Sequence, residues 1–290
     1  MRYLLLLFSI SLLATDCSEY KIHSLFYQPL VKDLKNLNWD KKFQQMKDKK
    51  IDTLILQWTQ YGQYNFLQQD KWLKNILENA QKNNIKIIIG LYADENYFNT
   101  LQDDATNIEK YLNELKNKNI KQAKQIFKIS KKYNSFFGWY IYDEINDTFF
   151  RSKSKQLLLH NYLTHLASQL KNIKEKPLYL SGYFSMAMDP SDFAVMFSYI
   201  TAQQYTVLLQ SGVGAKLVNM RESSIYMDAF YKSYNADFIP IVESFNIVQG
   251  KAKRISQDDR CNQMKMLEKS TKQKSFSLFS MRYFLEDYLK

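Results

Sequence analysis

The sequence predicts a single (β/α)8 TIM barrel, an α/β fold, preceded by a signal peptide. Three observations predict it: eight short β-rich apolar runs, an amphipathic helical stretch after each, and no linker rich in Gly, Pro or Ser between them. An open Rossmann-type sheet would want a GxGxxG turn after its first strand, and the sequence has none. Eight βα units instead match a closed barrel, which needs roughly 250 residues of the kind this chain of 290 supplies.

The strand candidates are 22–27, 53–58, 85–92, 136–142, 178–183, 205–210, 238–242 and 276–281. Apolar residues at helical spacing mark helices over 39–47, 70–83, 106–132 and 153–171, and shorter ones over 191–200, 223–232, 258–269 and 284–289. Asp40, Asp70 and Asp258 fit N-cap or first-turn positions, where a side-chain oxygen satisfies free backbone N–H groups.

Ahead of the barrel, Met1-Arg2 is a short basic start, and 3–13 is an apolar run too short to span a bilayer comfortably. Residues 1–17 therefore read as a secretory signal and 20–290 as the barrel domain, which places the protein in the periplasm or outer envelope. Cys17 follows Ala14 and Thr15, as in a lipoprotein signal that would attach the chain to a membrane through lipid on Cys17. Asp16 stands where such a signal wants Gly, Ala or Ser, so ordinary cleavage nearby is the alternative. With Cys17 and Cys261 alone, no disulfide framework is expected, and Cys261 reads as a small apolar residue on a helix face.

The net charge of +11 would fit an acidic partner, but the lysines are spread along helix faces beside asparagines (KKFQQMKDKK, NELKNKNIKQAKQ), with no arginine-rich block. Nucleic acid is therefore not an expected partner. No metal or other cofactor is expected either. His23, His160 and His165 fall in no ligand spacing, and neither a Walker loop nor a GxSxG elbow is present.

In a barrel of this kind the chemistry lies at the C-terminal strand ends, the one face assembled from all eight βα connections. Those ends carry Tyr27 and Gln28, then Gln57, Trp58 and Tyr61, Tyr92 and Asp94, Tyr142-Asp143-Glu144 with Asp147, Tyr183, Gln210, Glu243 and Arg282. Carboxylates, amides and aromatics together suit a carbohydrate: rings stack on aromatic faces, hydroxyls need amide and carboxylate partners, and bond cleavage needs two carboxyl groups. The expected partner is a poly- or oligosaccharide, with the oligomeric state left open. Glu144 and Glu243 are the catalytic candidates, Asp147 the spare acid, Trp58, Tyr61 and Tyr92 stacking platforms, and Gln57 and Gln210 hydroxyl partners. Asp94, Tyr142 and Tyr183 complete the expected binding set. Asp143 and Glu243 are the like charges expected to raise Glu144. The plainer alternatives are a carboxylate at a helix N-terminus for Glu243 and an exposed loop acid for Glu144.

WYIYDEIND at the fourth strand and IPIVESF at the seventh resemble the two acidic strand ends of the large superfamily of retaining TIM-barrel glycosidases called clan A. That resemblance implies that Glu144 is the acid/base and Glu243 the nucleophile. The clan usually carries Asn before the acid/base, where this chain has Asp143. Over nearly its whole mature length the chain is also similar to an uncharacterised bacterial family of glycosidase-like barrels, through IDTLILQWTQYG, the Trp-Tyr strand ending in Glu144, QSGVG and PIVESF. This second likeness implies an acidic residue where Ser211 stands. A non-catalytic barrel that binds glycans or envelope proteins is the alternative that Asp143 and Ser211 leave open.

Overall fold

Eight apolar runs form eight parallel strands that close on themselves in the computed structural model, which describes residues 17–34, 37–69 and 71–285. They are β1 (Lys21–Tyr27), β2 (Thr53–Leu56), β3 (Lys86–Gly90), β4 (Phe136–Asn146), β5 (Leu178–Tyr183), β6 (Thr206–Gln210), β7 (Phe238–Glu243) and β8 (Ser275–Phe279). Each pairs with the next. The ring closes at β1, where Leu25 lies opposite Leu54 on one side and Leu278 on the other.

Around the ring run α1 (Trp39–Asp48), α2 (Trp72–Lys82), α3 (Ile108–Ser130), α4 (Lys153–Ile173), α5 (Pro190–Thr201), α6 (Met220–Ser233), α7 (Gln257–Thr271) and a last turn α8 (Met281–Phe284). Asn38, Asn107, Ser152, Asn219 and Ser256 start five of these helices by accepting backbone N–H bonds. Asp40 and Asp258 occupy first turns rather than caps, where a carboxylate still meets the positive end of the helix dipole. Asp70 and the end of the last expected helix lie outside the described residues, as does the signal segment before Cys17.

Two features depart from the expected series. Gln60–Tyr61 pairs with Tyr64–Asn65 and with Tyr92–Ala93 in a small sheet beyond β2 and β3, so those two strands end earlier than their apolar runs. After β7, Phe245–Val248 and Lys251–Arg254 form an antiparallel hairpin. Gln249 and Gly250 turn it with φ of 51° and 71°, a left-handed pair suited to a tight hairpin turn.

Packing falls into two shells. Between ring and helices lies one large apolar cluster, including Leu54, Ile87, Trp139, Ile141, Leu166 and Phe197. Inside the ring, Phe26, Ile55, Ile88, Tyr140, Tyr179, Leu208 and Ile241 form a layer with one residue from each of the first seven strands, and Phe279 of the eighth packs against it. The barrel is thereby plugged, and its upper surface becomes the floor of a mouth.

One expectation about cysteine is corrected. Cys17 and Cys261 are joined in a disulfide across 244 positions of sequence, tying the segment before β1 to α7. Cys261 is therefore not an inert apolar residue, and Cys17 belongs to the folded unit. A lipid thioether would need the same Cys17 sulfur, so lipid attachment at that position is incompatible with this bond.

Candidate active site

Strand alternation decides which side chains reach the mouth. Ile55, Tyr140, Leu208 and Ile241 point into the ring. Residues two further along share that direction: Gln57, Tyr142, Gln210 and Glu243, with Glu144 two beyond Tyr142. Neither glutamate matches its plainer alternative, since Glu243 is the last residue of β7 and Glu144 lies within β4.

Glu243 is 1% exposed and is held by donors. Its Oε2 accepts the Gly214 N–H at 2.7 Å and the Ser211 hydroxyl at 3.2 Å, and the Ala215 N–H also donates to the carboxylate. Burial pushes its carboxyl up from the usual range, while these three donors oppose that rise by favouring the ionised form. From behind, the Gln263 amide accepts the Glu243 backbone N–H at 3.2 Å and donates to its carbonyl at 3.1 Å, so α7 fixes the end of β7.

Gly214 is required here for space. A Cβ on it would lie 2.3 Å from the Phe245 carbonyl oxygen and 2.7 Å from Glu243 Cβ. Gly214→Ala is expected to force the loop off Glu243 and to destabilise the fold by about 1–3 kcal/mol, the usual cost of overpacking. Urea unfolding checks it, and an unchanged midpoint would show that the loop yields freely.

Glu144 is half-buried, and its Oε1 accepts from Gln210 Nε2 at 3.0 Å. Its carboxyl is pushed up to about 7, chiefly by burial and further by the negative charge of Glu243, with the Gln210 amide opposing. The neighbouring Asp143 does not share this mouth. Adjacent strand residues face opposite sides, and Asp143 accepts a short bond from the Tyr162 hydroxyl on α4, which itself accepts from Asn119 of α3 at 3.0 Å. The expectation that Asp143 raises Glu144 is replaced by Glu243 alone.

Asp143 is itself pushed up to about 7, first by burial, with the Tyr162 bond opposing and the charge of Asp94 adding. Its Oδ1 has no hydrogen-bond partner among the described residues. Because the folded value lies above the unfolded one near 3.8, Asp143 contributes stability that is complete below about pH 4 and lost as pH rises through about 7. Asp143→Asn is expected to flatten the fall in melting temperature between pH 4 and pH 8, relieving roughly 3 kcal/mol at the alkaline end. Equal slopes in the two proteins would refute that account.

The other expected site residues divide. Trp58 is largely buried and donates from Nε1 to the Pro29 carbonyl. Its ring packs 5.0 Å from Tyr61 and edge-on at 5.4 Å from Tyr142. These three rings line a cavity of 410 Å³ together with Gln28, Tyr64, Phe66 and Arg282. Gln57 is buried, and its Oε1 has no hydrogen-bond partner among the described residues, which suits a ligand hydroxyl. Tyr183 accepts from Asn146, and its hydroxyl is pushed up first by burial and then by the charge of Glu144.

Tyr92, Asp94 and Asp147 are engaged elsewhere. Tyr92 is buried under the Lys118 ammonium, 4.9 Å from the ring centre, so a sugar cannot stack on that face. Asp94 accepts from the Tyr111 hydroxyl and the Asn96 N–H. Asp147 is fully buried and accepts from the backbone N–H groups of Ser185, Ala187 and Met188 and from the Ser185 hydroxyl, which makes it the anchor of the loop after β5 rather than a spare acid. Ser211 does belong to the site, through Glu243. Gln263 was not marked by the sequence at all; its one signal is a polar residue beside Met264 and Cys261 on the buried side of α7.

Comparison with known proteins agrees with this architecture. A family model described as "Domain of unknown function (DUF4434)" matches residues 22–284. "Uncharacterized protein YbcH" from Escherichia coli (strain K12) is 26% identical over 223 residues, covering 76% of this chain and 75% of that protein. Among solved structures, a putative alpha-L-fucosidase from Bacteroides thetaiotaomicron VPI-5482 superposes with a TM-score of 0.72 at 20% identity, covering 93% of this chain and 91% of the other. A GH18 chitinase from Pseudoalteromonas aurantia superposes at 0.56 with 11% identity, covering 90% and 94%. At these identities the two superpositions establish the fold, a barrel shared with glycoside hydrolases.

Proposed function

The chain belongs to the family described as Domain of unknown function (DUF4434), and from that membership and the site above we propose that it is a retaining glycoside hydrolase acting on an extracellular or cell-envelope polysaccharide. One observation carries the reading: carboxyl groups from β4 and β7 are held by adjacent residues at the end of β6, Glu144 by the Gln210 amide at 3.0 Å and Glu243 by the Ser211 hydroxyl at 3.2 Å.

Those partners order the pair. Burial and a negative neighbour keep the proton of Glu144 on to about pH 7 against a single opposing amide donor, which fits it to protonate the glycosidic oxygen. Glu243 has three donors that favour its ionised form, which fits it to attack the anomeric carbon. Bond breaking would leave a glycosyl ester on Glu243. Glu144, now ionised, would then draw a proton from the water that hydrolyses it. Gln57, Tyr61, Tyr142 and Tyr183 would surround the sugar. The Cys17–Cys261 disulfide supports export to the periplasm or outer envelope, since such bonds persist in oxidising compartments.

The test is release of reducing ends from a panel of envelope and extracellular polysaccharides near pH 6, followed by NMR of the first-formed anomer. Retained configuration is expected. Inverted configuration would remove the nucleophile role, and no cleavage of any polymer would favour a barrel that only binds.

A further inference from the structure

Two of the groups that hold Glu243 also border a second cavity. Gly214, whose N–H meets the Glu243 carboxylate, and Gln263, which holds both Glu243 backbone groups, line a space of 350 Å³ between the loop after β6, the hairpin after β7 and the first turns of α7. That volume falls in the range of about 300–1,000 Å³ usual for small-molecule sites. Backbone bonds fix its shape: the Ile247 N–H donates to the Gly214 carbonyl at 3.1 Å, and the Ile255 N–H to the Ser244 carbonyl at 3.3 Å.

The lining divides by chemistry. Val213, Met220, Phe245 and Ile255 make an apolar part that includes one aromatic ring, and Asn246, Asp259 and Asn262 make a polar part. One oxygen of Asp259, Oδ2, accepts from the Ser256 hydroxyl at 2.7 Å, and Asn262 is exposed on the helix surface. Asn246 is half-buried, and its Oδ1 has no hydrogen-bond partner among the described residues, although a buried amide oxygen is costly to leave unpaired. Among the described lining residues Asp259 carries the one charge, and it is negative, which disfavours an anion. A wholly apolar ligand would strand the amides and the carboxylate. A neutral sugar suits both parts, because its C–H face packs on apolar and aromatic side chains while hydroxyls on its edge donate and accept.

We propose that this cavity is a second carbohydrate site, taking one neutral sugar residue, with Phe245 and Met220 against the ring face and Asn246, Asp259 and Asn262 meeting its hydroxyls. The proposal rests on the glycosidase reading for the polymer to which that residue belongs, and extends that reading by a second point of attachment beside the nucleophile. A sugar held there packs against the same Gly214 and Gln263 that hold Glu243.

The test uses the full chain carrying methyl-labelled methionine, because Met220 lines the cavity and its signal reports occupancy. D-glucose, D-galactose, D-mannose and N-acetyl-D-glucosamine are each titrated and followed by NMR. At least one is expected to shift the Met220 methyl signal saturably. Asn246→Leu, which removes the amide at similar size, is expected to weaken that binding about tenfold or more. Should the hairpin fold poorly in that variant, Asn262→Trp, which adds bulk from an exposed helix position, is expected to block the cavity and abolish the shift.

A Met220 signal unmoved by all four sugars would overturn the proposal, as would a saturable shift that either substitution leaves unchanged in a folded protein. The outcome is separable from that of the parent reading. Polymer cleavage that depends on Glu144, with Met220 silent, would sink this proposal alone. A Met220 shift lost in Asn246→Leu, without cleavage of any polymer, would sink the hydrolase and leave the second carbohydrate site standing.

Discussion

Glu144→Gln and Glu243→Gln are expected to fold and to lose nearly all hydrolysis, by roughly 10²–10⁴-fold for the acid and at least as much for the nucleophile. The two variants should differ in how they fail. Gln at 144 keeps the hydrogen bond to Gln210 but has no proton to give, so substrates with good leaving groups, which need little protonation, should be spared most of the loss. Gln at 243 cannot form the glycosyl ester, so its loss should be independent of leaving group.

Stability should move the opposite way for Glu144→Gln. The wild-type carboxyl, pushed up to about 7, is harder to ionise in the folded chain than in the unfolded one. Its contribution is therefore present below about pH 4.5 and lost as pH rises through about 7. Above that pH the neutral amide should stabilise the protein by roughly 1–3 kcal/mol. Steady-state rates with aryl glycosides of graded leaving group, beside thermal melts at pH 8, read both effects. Normal rates in either variant would end the assignment of that residue.

Reduction of the Cys17–Cys261 disulfide is expected to lower stability by about 5 kcal/mol, because a bond between residues 244 positions apart removes much of the freedom of the unfolded chain. Denaturant midpoints with and without reductant, and for a Cys17→Ser, Cys261→Ser double variant, measure it. The effect should extend to the site, because Cys261 and Gln263 lie on the same helix and Gln263 holds both backbone groups of Glu243. Identical midpoints in the oxidised and reduced protein would show that the bond adds nothing to the fold.

Much of this architecture was legible in the sequence because buried parallel strands read as unbroken apolar runs, as in Leu178–Tyr183, where expectation and structure coincide. The Phe245–Val248 and Lys251–Arg254 hairpin was not, since its second strand, KAKR, carries three positive charges and buries too little to show alternation. Glu144 and Glu243 were legible by position at strand ends. The error over Asp143 came from treating sequence neighbours as spatial neighbours, although the pleat sends 143 to Tyr162 and 144 to Gln210. Asp147 looked catalytic because acids at a barrel rim often are; only coordinates show four donors already converging on it. The pairing of Cys17 with Cys261 was invisible for a simpler reason, that spacing along a chain says nothing about which distant residues meet in space.

That pairing has a topological consequence. The bond closes a covalent ring over 244 positions of sequence, from the segment before β1 to α7, with β8 outside it. A protease that clips one exposed turn between the two cysteines opens this covalent ring without dividing it. The fragments stay attached, and the cleaved product retains its mass until a reductant separates the pieces. For the exported hydrolase proposed above, a first cut between the two cysteines would detach nothing.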